Sequence, residues 1–119
     1  MKRVVVIDDD YISSELVREL LCGRDCLIEI ENNGYFGIEN IRNNPNPTVV
    51  ILDLNLPGVD GFEVFTELRK LNSKLPIIAY TAISDMKMID RCTEMGFDDI
   101  LIKPITPSSF EKVISIHLQ

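Results

Sequence analysis

Two short runs of consecutive apolar residues constrain the fold of this chain more than any other feature. Residues 4–7 read Val-Val-Val-Ile, and residues 49–52 read Val-Val-Ile-Leu. A strand with one solvated face alternates apolar and polar side chains, whereas a strand that is apolar at every position is buried on both faces. The two runs therefore predict a parallel sheet that is covered by helices on both sides.

β-branched segments recur along the chain, and each is followed by a segment with helical spacing of its apolar residues. The strand-like segments cover residues 3–8, 26–30, 48–53, 76–81 and 98–102. Capping residues indicate four helix starts, and these are Asp10, Asp60, either Ser84 or Asp85, and Thr106. The second helical segment opens at Asn33-Gly34. Glu63 lies three residues after Asp60, which is a capping-box pattern. The alternation predicts five βα units in an α/β, three-layer sandwich.

The length and the net charge of the chain exclude several classes of function. The chain has 119 residues, so we expect one domain over 1–119. Its net charge of −7 disfavours nonspecific binding to nucleic acid or to an anionic membrane. No apolar run approaches the ~18 residues of a membrane span, and the first residues do not resemble a signal peptide. Three cysteines without a Cys-x-x-Cys pair indicate reduced thiols and a cytoplasmic protein.

Polar side chains gather where the predicted strands end. In a parallel sheet these ends share one edge, which is where ligands bind. The residues at this edge are Asp8, Asp9, Asp10, Asp53, Thr81 and Lys103. Two like charges 4 Å apart repel by ~4 kcal/mol at an effective dielectric constant of 20, so clustered carboxylates favour a hard divalent cation. The pattern predicts a magnesium-dependent phosphoryl site with one aspartate as a nucleophile and a lysine for the phosphoryl oxygens.

Four motifs at these strand ends resemble the receiver domain of two-component response regulators. They are Ile-Asp-Asp-Asp at 7–10, Leu-Asp-Leu-Asn-Leu-Pro-Gly-Val-Asp-Gly at 52–61, Tyr-Thr-Ala at 80–82 and Ile-Lys-Pro at 102–104. The resemblance covers essentially the whole chain, and the order and placement of the motifs make it specific. It implies a flavodoxin-like fold, with five helices around a five-stranded parallel sheet of order 2-1-3-4-5.

The resemblance also implies a role for each acidic residue. Asp53 would be the phosphoacceptor, which takes its phosphoryl group from a phosphohistidine of a sensor histidine kinase or phosphotransfer protein. Asp8 and Asp9 would hold Mg²⁺, or Mn²⁺ in its place, with Asp9 as a direct ligand. Asp53 itself and the backbone carbonyl of Asn55 would complete the metal site.

Further residues would act on the phosphoryl group. Thr81 would hydrogen-bond to it, Ala82 would leave room for it, and Lys103 would pair with its oxygens. The Lys103–Pro104 peptide bond would be cis. Asn55 and Ile83 occupy the positions at which the family tunes the lifetime of the phosphate.

One position departs from the family pattern. Ile100 stands three residues before Lys103, where such domains usually carry the Tyr or Phe that moves with Thr81. We expect phosphorylation of Asp53 to switch a face formed by the fourth helix, the fifth strand and the fifth helix. This face would bind a downstream effector domain or protein, or a second copy of the chain.

Tyr80 precedes Thr81 and so points to the opposite face of the sheet, where we expect it to pack in the core.

Three other functions are weighed against this hypothesis. The chain could be a receiver-like interaction module that no longer switches, which Ile100 favours. A small phosphohydrolase that uses Asp53 is less favoured, because haloacid-dehalogenase-like phosphatases need an Asp where Asn55 stands. A flavin-binding protein is less favoured because the first strand–helix turn is rich in Asp.

We therefore expect a self-phosphorylating signalling domain, not a turnover enzyme. In 119 residues there is no room for an output domain, so we expect either a stand-alone receiver or part of a larger regulator or hybrid kinase.

Overall fold

A computed structural model describes residues 1–82 and 85–118 as five strands that alternate with five helices. The strands are β1 (Lys2–Ile7), β2 (Cys26–Glu31), β3 (Val49–Asp53), β4 (Ile77–Thr81) and β5 (Asp99–Ile102). The helices are α1 (Tyr11–Leu20), α2 (Gly34–Asn43), α3 (Gly61–Leu71), α4 (Met86–Met95) and α5 (Pro107–His117). Each end of an observed strand lies within one residue of the predicted end.

The strands form one parallel sheet with the order β2-β1-β3-β4-β5, which confirms the predicted fold. β2 and β3 lie on opposite sides of β1, so the strand order changes direction at β1. The carboxyl ends of β1 and β3 are therefore neighbours, with Ile7 in register with Leu52. This is the place where an open α/β sheet binds its ligands.

Successive residues of the central strands enter two separate cores. Val5, Val50 and Ile77 pack into one core, which α2, α3 and α4 cover. Val4 and Val49 pack into the other, which α1 and α5 cover. Every residue of β3 and β4 is buried, as the consecutive apolar runs predict.

The predicted capping residues begin the helices, and so does Asn33. Asp10, Asn33, Asp85 and Thr106 each accept a backbone N–H of the following helix through the side chain. Ser84, the alternative cap for α4, lies outside the described residues, as does Ile83. The expected capping box at Asp60 is absent, because its carboxylate accepts from the Phe62 N–H and not from that of Glu63. The carbonyl of Asp60 takes the Glu63 N–H instead.

No helix in the described part of the chain is long and apolar enough to cross a membrane.

Candidate functional site

Three carboxylates meet at the carboxyl end of the sheet. Asp8 directly follows β1, and Asp53 is the last residue of β3. Both are buried, with 1% and 3% of their surface exposed, whereas Asp9 is exposed. One oxygen from each of the three carboxylates lies within 4.8 Å of the others. The adjacency of β1 and β3 thus brings together acids that are more than forty residues apart in the sequence.

Lys103 reaches this acidic group from the end of β5. Its Nζ lies 3.1 Å from Asp8 Oδ2 and 3.3 Å from Asp53 Oδ2. The backbone N–H of Lys103 donates to the carbonyl of Thr81 at 2.8 Å, which extends the pairing of β5 with β4 to the site. The Lys103–Pro104 peptide bond is cis, as the resemblance implies. The ammonium group therefore bridges the two buried carboxylates.

Backbone amides fix the other oxygen of each buried carboxylate. The Asp10 N–H donates to Asp8 Oδ1, and the Asn55 N–H donates to Asp53 Oδ1, both at 2.9 Å. Each carboxylate therefore directs one oxygen at the backbone and one at Lys103. Asp10 is engaged in capping α1 and stands outside the acidic group, as the sequence predicts.

Burial and charge perturb the protonation of the site. Burial, together with the charge of Asp53, raises the pKa of Asp8 to about 7. The Asp10 N–H and the charge of Lys103 oppose this increase. Burial alone would lower the pKa of Lys103, but the charges of Asp53 and Asp8 outweigh it, so the pKa lies above its ordinary value. Lys103 is therefore a cation at neutral pH, while Asp8 is poised between its two forms.

The acidic group suits a hard divalent cation. Asp8 Oδ2 is fully buried and accepts no hydrogen bond from the described residues, although the charge of Lys103 is close to it. Three carboxylates face one ammonium, which leaves a formal charge of −2 when all three are ionised. Mg²⁺ prefers such oxygen ligands and retains water at its remaining positions. Asp8, Asp9 and Asp53 could therefore hold Mg²⁺ with a position open for a phosphoryl oxygen.

The remaining predicted residues lie at or near the same edge. Thr81 is the last residue of β4 and is 2% exposed, and Ala82 after it is exposed. Asn55 is exposed beside Asp53. Ile100 is in β5 and pairs with Ala79 of β4. It is half-buried against the core that α2, α3 and α4 cover.

Tyr80 makes a contact with a site residue that sequence reasoning missed. It packs in the core beneath α1 and α5, as predicted, and is 1% exposed. Its ring also lies under Lys103, with Nζ 4.7 Å from the ring centroid. Strand alternation indicates the face that Tyr80 occupies, but it does not indicate where a long lysine side chain from another strand will bend.

The raised pKa of Asp8 predicts a stability that depends on pH. The folded, metal-free protein holds this proton more tightly than an unfolded chain, whose Asp8 has its ordinary pKa of 3.8. The stabilisation is fully present below pH 3.8 and is lost as the pH rises through about 7. Relative to an Asp8→Asn variant, the parent should therefore lose on the order of a few kcal/mol between pH 4 and pH 8.

Thermal unfolding in EDTA across this pH range, with both proteins side by side, measures that difference. The comparison with the variant cancels the contributions of titrating groups that do not interact with Asp8. A difference in melting temperature that stays constant with pH would contradict the raised pKa.

Residues 4–115 match the family described as response regulator receiver domain. The response regulator MprA of a Mycobacterium species is 34% identical over 102 residues, and the sensor histidine kinase RcsC of Salmonella typhi is 26% identical over 116 residues. These alignments cover 86% and 98% of this chain. Among solved structures, the chemotaxis protein CheY4 of Vibrio cholerae superposes with a TM-score of 0.88 at 22% identity, over 98% of each chain.

The chain spans 44% of the length of MprA and 12% of the length of RcsC. The match is therefore to one part of each of these longer proteins. At its level of identity, the likeness to CheY4 shows the fold alone.

Proposed function

The chain belongs to the response regulator receiver family, and from this premise we propose that Asp53 accepts a phosphoryl group from a phosphohistidine. The observation that carries the proposal is the setting of Asp53. Its carboxylate is buried, lies 3.3 Å from the Lys103 ammonium and is grouped with Asp8 and Asp9. It is also the last residue of β3, at the ligand-binding edge of the sheet.

The reaction is a transfer between two nucleophiles. The Asp53 carboxylate attacks phosphorus, and a P–O bond forms while the P–N bond to the donor imidazole breaks. The bonding electron pair stays on the imidazole nitrogen, which takes a proton from solvent as it leaves. Lys103 neutralises a phosphoryl oxygen, and the Thr81 hydroxyl donates a hydrogen bond to another.

Receiver domains bind Mg²⁺ at an acidic pocket, and we propose that the pocket of this chain does the same. Asp8, Asp9 and Asp53 would hold the ion together with the backbone carbonyl of Asn55. When bound, Mg²⁺ supplies a Lewis acid that offsets the negative charge of the phosphoryl oxygens. The Asn55 and Asp10 amides keep the carboxylates oriented before the ion arrives.

Phosphorylation would then change the population of two conformations. A phosphoryl group adds about two negative charges at pH 7 and three strong acceptors to a buried position. Moving an equilibrium from 1:99 to 99:1 takes ~5.5 kcal/mol of differential stabilisation. We propose that the affected face is formed by α4, β5 and α5, whose exposed apolar residues Met86, Ile102 and Ile116 suit a protein partner or a second copy.

The relatives support a proposal about the partners. They include a sensor histidine kinase and response regulators, which places the family in two-component signalling. We propose a sensor kinase or phosphotransfer protein as the donor and an effector domain or protein as the target. Residues 1–119 would act as one receiver domain in the cytoplasm. It would phosphorylate and dephosphorylate itself and would not turn over a substrate.

Acetyl phosphate tests the proposal directly. The protein is incubated with it in Mg²⁺ or in EDTA, and the intact mass is followed over time. We expect the gain of one phosphoryl group in Mg²⁺ only. Borohydride reduces an aspartyl phosphate to homoserine, so peptide mapping should place the modified residue at position 53. Labelling at another residue, or none in a folded protein that binds Mg²⁺, would contradict the proposal.

A second function is a receiver fold that binds partners without switching, which the replacement of the usual aromatic by Ile100 favours. Hydrogen exchange on the parent protein distinguishes the two functions. If Asp53 switches the protein, protection in α4, β5 and α5 should change when beryllofluoride and Mg²⁺ are added as a phosphoryl analogue. Unchanged protection in a protein that binds the analogue would favour the interaction module.

A further inference from the structure

Tyr80 occupies a buried position between the site and the core. It lies in β4 next to Thr81, and only 1% of its surface is exposed. Its hydroxyl donates to the carbonyl of Ser13 in α1 at 3.3 Å. Burial and then the charge of Asp8 raise the pKa of Tyr80 to about 12, so the phenol stays protonated and keeps this hydrogen bond. Core packing on one side and α1 on the other therefore hold the ring in place.

The face of this ring lies under the Lys103 ammonium. Nζ is 4.7 Å from the ring centroid, which is within the range of a cation–π contact. Only 15% of the Lys103 side chain is exposed, so water screens the contact little. A phenylalanine ring would offer the same face, whereas an aliphatic side chain would not.

Lys103 needs such a support because its own side chain is flexible. Four rotatable bonds separate its ammonium from the backbone, and a strong point charge between two carboxylates can move toward either of them. Asp8 and Asp53 attract Nζ from two directions, at 3.1 and 3.3 Å. The ring supplies a third, uncharged contact whose position does not change with the charge of either carboxylate.

We propose that Tyr80 is a positioning residue that holds the Lys103 ammonium over its aromatic face, ready for the oxygens of the incoming phosphoryl group. This inference rests on the proposed phosphorylation of Asp53. It adds a residue to the site, because the alternation of side chains along the strand assigns Tyr80 only to packing. Tyr80 acts through Lys103 and does not touch the reacting atoms.

The first test compares three substitutions in the acetyl phosphate assay. Tyr80→Leu removes the ring and should slow labelling roughly tenfold, the order of magnitude of a desolvated cation–π contact. Tyr80→Phe removes the bond to Ser13 but keeps the ring, so its rate should stay within about twofold of the parent. Phe110→Leu is the matched control, because Phe110 is buried in the same core and also loses a ring. It should label at the parental rate at a temperature where all variants are folded.

The second test is a double-mutant cycle with Lys103→Met. If Tyr80 acts through Lys103, Tyr80→Leu should cost about tenfold in the parent and less than about twofold in the Lys103→Met background. A purely structural role would cost the same factor in both. Where Tyr80→Leu does not fold, fluorinated phenylalanines at position 80 retain the shape of the ring. The labelling rate should then fall with each added fluorine, because the negative face of the ring weakens.

The outcomes separate this inference from the proposed function. A parent protein that gains no phosphoryl group overturns both. A parent that is labelled at Asp53 supports the function, and parental rates in Tyr80→Leu then overturn the positioning role alone. The positioning role is also overturned if Phe110→Leu slows labelling as much as Tyr80→Leu does. It is overturned as well if Tyr80→Leu causes the same tenfold loss in the Lys103→Met background.

Discussion

Replacement of Asp53 by asparagine is expected to abolish phosphorylation by acetyl phosphate, with a loss of at least about 10³-fold in the labelling rate. Asparagine has the shape of aspartate and can still accept the Asn55 N–H through its side-chain oxygen. It lacks the ionised carboxylate that attacks phosphorus. The fold should persist, because the variant also removes one of two neighbouring buried carboxylates and leaves Lys103 paired with Asp8.

The measurement is the intact mass over time in Mg²⁺, beside a thermal unfolding curve for each protein. Asp10→Asn is the matched control, because Asp10 is exposed, caps α1 and lies outside the acidic group. Asparagine is also a good capping residue, so this variant should fold and gain the phosphoryl group at the parental rate. Labelling of Asp53→Asn at a rate near that of the parent would assign the nucleophile elsewhere.

Replacement of Gly61 by alanine is expected to lower the free energy of unfolding by about 3 kcal/mol. A Cβ at this position would lie 2.5 Å from Leu54 Cα, 2.8 Å from the Leu54 carbonyl oxygen and 2.9 Å from the Asp53 carbonyl oxygen. All three atoms belong to the backbone, so no side-chain rotation can relieve the overlap. The start of α3 must move away from the strand that carries Asp53, and we expect slower labelling as well as lower stability.

Urea denaturation of the parent and the variant measures the loss, and Gly58→Ala is the control. Gly58 lies in the loop between β3 and α3 and has a φ of +77°, but a Cβ there would meet no atom within 4 Å. Its replacement should cost only about 1 kcal/mol, the conformational penalty of a left-handed residue. Equal losses for the two variants would refute the steric explanation for Gly61.

Local sequence signals determined the elements and most of the candidate site. Consecutive apolar residues in 4–7 and 49–52 predict strands with two buried faces, and Val4 and Val5 indeed enter opposite cores. Asp10, Asp85 and Thr106 cap helices because a short polar side chain before a helix can reach a free backbone N–H. The ends of parallel strands share one edge, so the meeting of Asp8, Asp9 and Asp53 could be expected from the sequence alone.

Only the tertiary structure decided the contacts and charges of that site. Asp8 resembles Asp9 in the sequence, yet Asp8 is buried with a pKa of about 7 while Asp9 is exposed. Desolvation depends on every chain segment packed around a carboxylate, and residue spacing does not contain that information. The position of Tyr80 under Lys103 likewise depends on the bend of a flexible side chain between two charges, and the need for glycine at 61 depends on how closely α3 approaches β3. Periodicity fixes which face of an element a residue occupies, whereas distances between elements are set by the packing of the whole chain.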